Sequence, residues 1–437
     1  MSWLNFFQTT SPCQISFGRG INATINPDEE ELFNNSYKAF ENRDILDAYE
    51  YFFSSLLNFT DNVSNENVLL ERTTEKLLFS IYQGSAKIVG VITEETLQAE
   101  VTLVKNENAS VALKRYILER NYQLTYTNYF TDENHVKLKL YLDNITLSPQ
   151  KIFFPLRELA LNADFDKEHI VSEFRDIPLE ETQHITPLQE SELEIKYNYL
   201  QTAIAELESK ALTLPSNDNA GMQAFLYLEI LLKFDYILVP KYKIYHKLSK
   251  KIQAYFSDEN GTIEAKNDEL RKYVQELKQL TFEEFSSNFY SAKYTFNPIE
   301  KTSYEDLVTF ISESINKVKW YKNNRYPQII PTIYRYIAFY SLYNYGVNPV
   351  LRELLHLLVQ IQNSPFFTSI DCGTLYDEEK QSFSKRAIIS KIQDVVSQNQ
   401  EKYKSLVIFS DDLNFNSMND FSNSYYNMLK NLDFEEL

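Results

Sequence analysis

The hydrophobic pattern of this 437-residue chain changes its period near residue 188. Before that point, several short segments alternate apolar and polar side chains, as β-strands with one buried face do, and helical segments lie between them. After it, apolar residues recur at steps of three and four residues, for example Leu193, Tyr197 and Leu200. The pattern predicts an α+β domain followed by an all-α helical domain.

We expect an N-terminal extension at 1–27, the α+β domain at 28–167, a linker at 168–187 and the helical domain at 188–437. The linker is charged and contains two prolines, which separates the two units. The segment AFLYLEILLKFDYILV is apolar nearly all round, so it predicts a central helix. Further helices are predicted near 241–256, 264–280, 303–321, 331–345, 348–362, 378–404 and 418–431.

Within the α+β domain the sequence predicts two helices at 28–58, then three strands, a helix, two strands and a last helix. The three strands are KLLFSIYQG, SAKIVGVITE and LQAEVTLVK. Asp44 is the expected cap of the second helix and Asn108 that of the middle helix, whereas Ser148 and Pro149 are typical of the start of the last helix. The five strands predict a largely antiparallel sheet whose apolar face packs on the helices.

The hairpin at 120–144, RNYQLTYTNYFTDENHVKLKLYLDN, sorts its side chains by parity. One face should carry Tyr122, Leu124, Tyr126 and Phe130 from its first strand and Val136, Leu138, Leu140 and Leu142 from its second. Leu138 and Leu140 should share a core with Leu97, Val101 and Leu156. The opposite face carries polar residues with two tyrosines among them, which suits an interface. The candidate partner-binding residues are Thr125, Thr127, Tyr129, Lys137, Lys139 and Tyr141.

The order of elements over residues 44–166 resembles the small α/β domain of class I type III secretion chaperones and the related YbjN-like proteins. The segments that carry the resemblance are GSAKIVGVITEETLQAEVTLV, VALKRYILERNYQL and VKLKLYLDN…FFPLRELALNAD. The resemblance implies a domain that is not an enzyme and that binds an extended segment of a client protein, usually as a dimer. This chain departs from the family because a long helical region follows the domain.

Composition excludes several classes of function. Lys and Arg number 43 against 61 Asp and Glu, and the resulting formal net charge of −18 disfavours nucleic acid as a partner. None of the 8 glycines lies in a phosphate-binding motif, so no cofactor is expected. Cys13 and Cys372 match no metal-site spacing and are typical of a reducing compartment. Charged residues interrupt the apolar stretches and MSWLNFF lacks the features of a signal peptide, so we expect a cytoplasmic protein without a membrane span.

Two Glu-x-x-His units raise the alternative of a metal-dependent enzyme, because ferritin-like bundles hold two metal ions with such pairs. Glu181 and His184 lie between two prolines, where a long helix is not expected. Glu353 and His356 lie on a predicted helix, but its apolar stripe leaves both on the polar side. We therefore expect a solvated helix face and no metal.

Other charged motifs have ordinary explanations. His169 and Glu173, preceded by Asp164 and Glu168, are interpreted as a charged helix end. Asp411 and Asp412 follow an apolar run and are interpreted as a solvated cap, because the sequence offers no second acidic strand end. The five lysines of KYKIYHKLSKK, residues 241–251, are interpreted as an exposed face with salt bridges, and Tyr336, Tyr340 and Tyr343 as aromatic core.

Together these features predict a cytoplasmic, non-enzymatic protein that binds another polypeptide, as a chaperone-like or adaptor protein and as a possible homodimer. The expected contact surface is the polar face of the sheet or the groove beside its edge. One alternative is a structural scaffold, in which the helical domain covers that face within the same chain. The other is the metal-dependent enzyme described above.

Overall fold

A computed structural model describes residues 17–18, 27–57, 67–174, 177–215, 217, 219–257, 261–400, 402–407 and 410–434. Its N-terminal part holds an antiparallel six-stranded sheet with helices, and a helical region follows, which confirms the predicted α+β class. The strands are β1 (Val68–Arg72), β2 (Leu77–Gln83), β3 (Ala86–Ile92), β4 (Thr96–Lys105), β5 (Thr127–Thr131) and β6 (His135–Asp143). Their order across the sheet is β1-β2-β3-β4-β6-β5.

The strand missing from the five-stranded prediction is β1, which lies at the edge of the sheet and pairs with β2. Only Val68 of this strand is buried, and Leu69, Leu70, Glu71 and Arg72 are exposed. An edge strand with one buried residue shows no alternation of apolar and polar side chains. The segment therefore gave no strand signal.

The sheet packs on one side against helices of the same domain, and we call that side the inner face. These helices are α1 (Pro27–Asn42), α2 (Ile45–Ser54), α3 (Val111–Asn121) and α4 (Pro149–Glu173). Ser148 and Pro149 start α4 as predicted, and Asp44 precedes α2 without a side-chain capping bond. The cap of α3 is Ser110, whose side chain accepts from Leu113 N at 3.1 Å, so the prediction of Asn108 is wrong.

The core of the α+β part lies between α4 and the inner face. A stripe on α4, made of Ile152, Leu156, Leu159, Ala160 and Ala163, is fully buried there. Leu97, Val101, Leu138, Leu140 and Leu156 belong to the same buried cluster, which confirms the predicted shared core. The alternation along β4 and β6 thus placed the correct faces inward.

The helical region has its own core, built from residues 200–432. Its helices are α5 (Glu190–Ala211), α6 (Ala220–Lys233), α7 (Tyr242–Phe256), α8 (Ile263–Lys278), α9 (Phe282–Ser286), α10 (Tyr304–Asn323), α11 (Ile330–Asn344), α12 (Pro349–Gln362), α13 (Ser364–Ser369), α14 (Lys385–Asn399) and α15 (Met418–Leu429). As predicted, α6 is central, and its residues from Leu226 to Lys233 are all buried. The helix predicted over 378–404 is shorter, because a hairpin of β7 (Tyr376–Asp377) and β8 (Ser382–Phe383) precedes α14.

The predicted linker is not a free spacer between the two parts. Its first residues, 168–173, continue α4, and the backbone of Glu180 bonds to Leu103 O at 2.9 Å. From the helical region, Phe296 inserts its ring into the core of the α+β part. The Gln83 side chain bonds both backbone groups of Phe296, at 2.8 Å to its nitrogen and 3.2 Å to its oxygen. The two parts are therefore packed together.

Two further expectations concern the surroundings of the protein. Among the described residues, no helix combines the length and the apolar character that a membrane span requires. Cys372 is disulfide-bonded, which differs from the reduced thiols typical of the compartment expected from the sequence. Cys13 lies outside the described residues.

Candidate protein-binding surface

The side of the sheet opposite α4 carries the candidate surface, and we call it the outer face. Strand pairing aligns its side chains in rows across the sheet. One row consists of Leu69, Ser80, Val89, Glu100, Lys139 and Asn128. A second row consists of Glu71, Leu78, Val91, Gln98 and Tyr141. The rows place an apolar part on β1 to β3 next to a charged part on β4 and β6.

Three of the six predicted partner-binding residues, Lys137, Lys139 and Tyr141, lie together on the outer face. The Tyr141 side chain is 63% exposed. Lys137 and Lys139 contact Glu100 with nitrogen to oxygen distances of 2.7 and 3.2 Å. Burial alone would raise the pKa of Glu100, but the hydrogen bonds from the two lysines hold it below its usual value. The charges of this part are therefore largely compensated within the protein.

Thr127 and Tyr129 do not lie on the outer face, so this part of the prediction is wrong. Both are buried on the inner face, because β5 pairs Thr127 with Leu140 and Tyr129 with Leu138. The Tyr129 hydroxyl donates to Asp166, and burial followed by the charge of Asp166 raises the pKa of this tyrosine well above its usual value. These side chains belong to the core.

The error arose from the start of β5. Tyr122, Leu124 and Tyr126 were counted as strand residues, but they follow α3 in a turn, and Tyr122 is 94% exposed. The apolar residues of the turn are even-numbered, whereas the buried residues of β5 are odd-numbered. Counting the alternation from the turn therefore assigned every later side chain to the wrong face. Thr125 is exposed in the same turn, where its backbone nitrogen bonds to Glu158.

Sequence reasoning missed the apolar part of the outer face. Leu69 is 46% exposed there, and Leu78, Val89 and Val91 are half-buried. The signal was present in β3, where the apolar run continues without alternation through Ile92. A continuous apolar strand is typical of burial on both faces, so it pointed to a covered outer face at this position.

The two edges of the sheet differ. At β5, the Asn121 side chain bonds both the nitrogen and the oxygen of Tyr129, at 2.7 and 3.2 Å. Glu158 accepts from the backbone nitrogen of Thr127 at 2.9 Å. These side chains occupy three of the backbone groups that a further strand would need, so the β5 edge is blocked at Thr127 and Tyr129.

At β1 the edge is open within the described part of the chain. Tyr82 donates its backbone N–H to Asn67 O at 2.9 Å. Because the backbone groups of successive strand residues point in alternate directions, those of Val68, Leu70 and Arg72 point away from β2. No backbone group of the described residues pairs with them. Beside them Leu69 and Leu70 are 46% and 36% exposed. An edge with free backbone groups and apolar side chains is a template for strand addition.

One end of the outer face is covered by the chain itself. The His184 ring lies 4.9 Å from the Tyr82 ring, and His184 Nε2 lies 3.0 Å from the Gly84 oxygen. Thr186, two residues further on, pairs with Ser291 of the helical region. The segment between α4 and α5 thus overlies the outer face at the β2–β3 turn.

The two Glu-x-x-His units show no shared site. Glu181 and His184 lie in a turn, as expected between the prolines. His356 is not on a solvated face as predicted, because its Nδ1 lies 2.8 Å from the Tyr236 hydroxyl and its Nε2 2.8 Å from Gln360. Burial, followed by the charge of Arg352, lowers its pKa to about 3. Within the described segments, no cluster of three His, Cys, Asp or Glu residues is arranged to hold a metal ion.

The other charged motifs have mixed outcomes. Asp411 and Asp412 are exposed in a short helical turn, and Lys247 and Lys251 form salt bridges with Glu276 and Glu269 as expected. Lys241 is buried, so its place on the predicted exposed lysine face is wrong. Tyr336 is buried, as aromatic core requires. By contrast, the predicted charged helix end at Asp164 and Glu168 is wrong. Glu168 is buried against the helical region, and Asp164 is half-buried beneath the β2–β3 turn.

No protein-family model matches this chain, and no curated protein matches it. The resemblance to class I type III secretion chaperones therefore stays a prediction.

Proposed function

We propose that this protein is not an enzyme and that it binds another polypeptide at the β1 edge and the adjoining outer face. The observation that carries the proposal is the difference between the two edges. Asn121 and Glu158 close the β5 edge, whereas Leu69 and Leu70 stay exposed at the open β1 edge.

An extended segment of a partner would add to the sheet as a further strand beside β1. Its backbone would pair with the outward groups of Val68, Leu70 and Arg72, and these hydrogen bonds depend little on sequence. Leu69 would contact alternate side chains of the added segment on the outer face, so apolar residues at every second position are expected in the partner.

The charges near this edge favour a partner with basic residues. Arg72 is already paired with Asp47 and Glu50, and Glu71 is exposed. The whole chain has a formal net charge of −18, which attracts basic segments and repels acidic ones at low ionic strength. A cytoplasmic location and the formation of a homodimer belong to the same proposal.

The scaffold alternative is supported by a separate observation. Phe296 and the segment around His184 dock the helical region onto the α+β part within one chain. In a pure scaffold, this docking would be the main role of the α+β part, and the β1 edge would bind nothing.

The test replaces Leu70 with proline. Because the Leu70 nitrogen points away from β2, proline removes a hydrogen-bond donor of the free edge and leaves the pairing with β2 in place. A second variant, Tyr141→Glu, changes the outer face and leaves the core intact. The matched control is Leu118→Ala, because Leu118 is exposed on α3, away from both.

Affinity capture from native lysate with quantitative mass spectrometry should recover a protein with wild type and the control. At least tenfold less of it should be recovered with Leu70→Pro. Light scattering on the purified variants reports whether the bound protein is a second copy. Equal recovery of the partner by wild type and by both surface variants would favour the scaffold. The scaffold would also be favoured if wild type recovered no protein and scattered light as a monomer.

A further inference from the structure

Two carboxyl groups on α4, one buried and one half-buried, lie where the α+β part meets the helical region. Asp164 and Glu168 lie one helical turn apart, so they face the same side of α4. Glu168 is only 3% exposed, and Asp164 lies beneath the β2–β3 turn. A buried carboxylate costs free energy unless it is paired, and two adjacent ones also repel each other.

Asp164 is held by the turn of the sheet. Its Oδ1 accepts from the nitrogen and the hydroxyl of Ser85, at 2.6 and 2.8 Å. The preceding Gly84 has a φ of +54°, and a side-chain carbon at that position would lie 2.2 Å from Asp164 Oδ2. The nitrogen of Gly84 in turn donates to the oxygen of Lys293 in the helical region, at 2.8 Å. Asp164 therefore supports the turn that makes a direct bond between the two parts.

Glu168 contacts the helical region directly. Its Oε1 accepts from the Tyr290 hydroxyl at 2.6 Å. Its Oε2 has no hydrogen-bond partner among the described residues, and His246 Nε2 on α7 lies 3.9 Å away. Tyr242 is close enough that burial, followed by the charges of Glu168 and Asp164, raises its pKa to about 12.

Lys241 and Lys167 are two cations whose charges interact with Asp164. Lys241 is buried, donates to the Tyr294 hydroxyl and acts on Asp164 through its charge. Lys167 lies on α4 beside Asp164 and donates to Glu180 O at 2.6 Å. Burial, opposed by the charges of Glu181, Asp164 and Glu180, lowers the pKa of Lys167 to about 8.

We propose that Asp164 and Glu168 form a proton-controlled joint, which holds the α+β part against the helical region when Asp164 is protonated and loosens when it is ionised. In the protonated state the pair carries one negative charge, opposite the positively charged Lys241. In the ionised state a second negative charge is confined in the same buried space. Opening the joint relieves this repulsion by exposing both carboxylates to water.

The direction of the pH effect follows from the proton balance. Burial, followed by the charge of Glu168, raises the pKa of Asp164 from its usual 3.8 to about 7. Between these two values the closed joint binds more protons than the open one, so raising the pH opens it. Above about pH 7 both states are ionised at Asp164 and the effect levels off.

Opening would also change the candidate surface. His184 covers the Tyr82 end of the outer face, and Thr186 pairs with Ser291 of the helical region. Separation of the two parts would uncover that end. This consequence rests on the proposed function, whereas the joint itself does not.

The experiment is hydrogen exchange of the Gly84 amide in the full chain, because its N–H bonds across the joint. After correction for the intrinsic pH dependence of exchange, its opening constant should rise by up to about tenfold per pH unit between pH 5 and 7. Asp164→Asn, which imitates the protonated carboxyl, should make this profile flat. Glu168→Gln should shift the plateau to lower pH, because it removes the neighbouring negative charge.

The matched control is Glu173→Gln, which removes an exposed charge from the same helix and should leave the profile unchanged. An opening constant of the Gly84 amide that does not change with pH in the wild-type protein would overturn the proposal. This measurement does not depend on whether any variant folds. An unchanged slope in Asp164→Asn would overturn the proposal too, because a group other than Asp164 would then be the one that titrates. Equal opening constants at the Gly84 amide and at the Val101 amide within β4 would also overturn it, since the two parts would then separate only when the whole fold unfolds.

Discussion

Removing the ring of Phe296 should destabilise the α+β part, although this residue lies in the helical half of the sequence. The ring is 1% exposed inside the core of the α+β part and lies 5.5 Å from the Phe153 ring in an edge-to-face arrangement. Truncation of a buried phenylalanine to alanine costs about 3 to 5 kcal/mol, of which an aromatic pair supplies about 0.5 to 1.5 kcal/mol. Whole domains are stable by about 5 to 15 kcal/mol, so the loss is large.

The substitution isolates the ring, because both bonds from Gln83 go to the Phe296 backbone and remain possible in Phe296→Ala. Urea unfolding followed by far-UV circular dichroism would measure the loss, and hydrogen exchange in β2 and β3 would locate it in the α+β part. Phe154→Ala is the matched control, because its ring is 56% exposed beside Phe153 and should cost under about 1 kcal/mol. A loss below about 1 kcal/mol for Phe296→Ala would refute the insertion of this ring into the core.

Four further predictions concern single positions. Leu138→Ala should cost about 2 to 5 kcal/mol in urea unfolding, because Leu138 is fully buried, whereas exposed Lys139→Ala should stay within about 0.5 kcal/mol of wild type. His356→Ala should release no metal in elemental analysis of protein purified without chelator, and stoichiometric iron, manganese or zinc in wild type alone would contradict this. Asp164→Asn should make stability less dependent on pH between about 4 and 7, a difference of at most about 4 kcal/mol for a pKa raised from 3.8 to about 7. Cys372 should resist alkylation until a reductant is added, and labelling of the unreduced protein would show a free thiol.

The sequence predicted those parts of the fold in which a local pattern determines burial. Leu138 and Leu140 alternate with lysines over a full strand, so their inward direction follows from the period alone. Ser148 and Pro149 mark a helix start by local chemistry. β1 was not predicted, because this edge strand buries only one side chain. Tyr129 was assigned to the wrong face, because the turn before β5 contains apolar residues that alternate as in a strand.

The remaining features depend on contacts between segments that are distant in sequence. Asp164 and Glu168 look like an ordinary charged helix end, and only the β2–β3 turn at Ser85 and Tyr290 of the helical region, both distant in sequence, cover them. Phe296 shows no local sign that it completes a core formed by residues 46–170. For the candidate surface, Lys137, Lys139 and Tyr141 were placed on the correct face because β6 was assigned correctly, and the open edge was missed with β1.

The difference between the two sheet edges limits the size of any assembly that forms through them. A sheet with two free edges can add copies at both and grow into a fibre. Here Asn121 and Glu158 block β5 at Thr127 and Tyr129, so of the two edges described, β1 is the one from which growth is expected. If a second copy pairs its own β1 with this one, the combined sheet ends in a closed β5 edge on each side. Assembly through this edge therefore stops at two copies, and a single strand added by another protein blocks even that step.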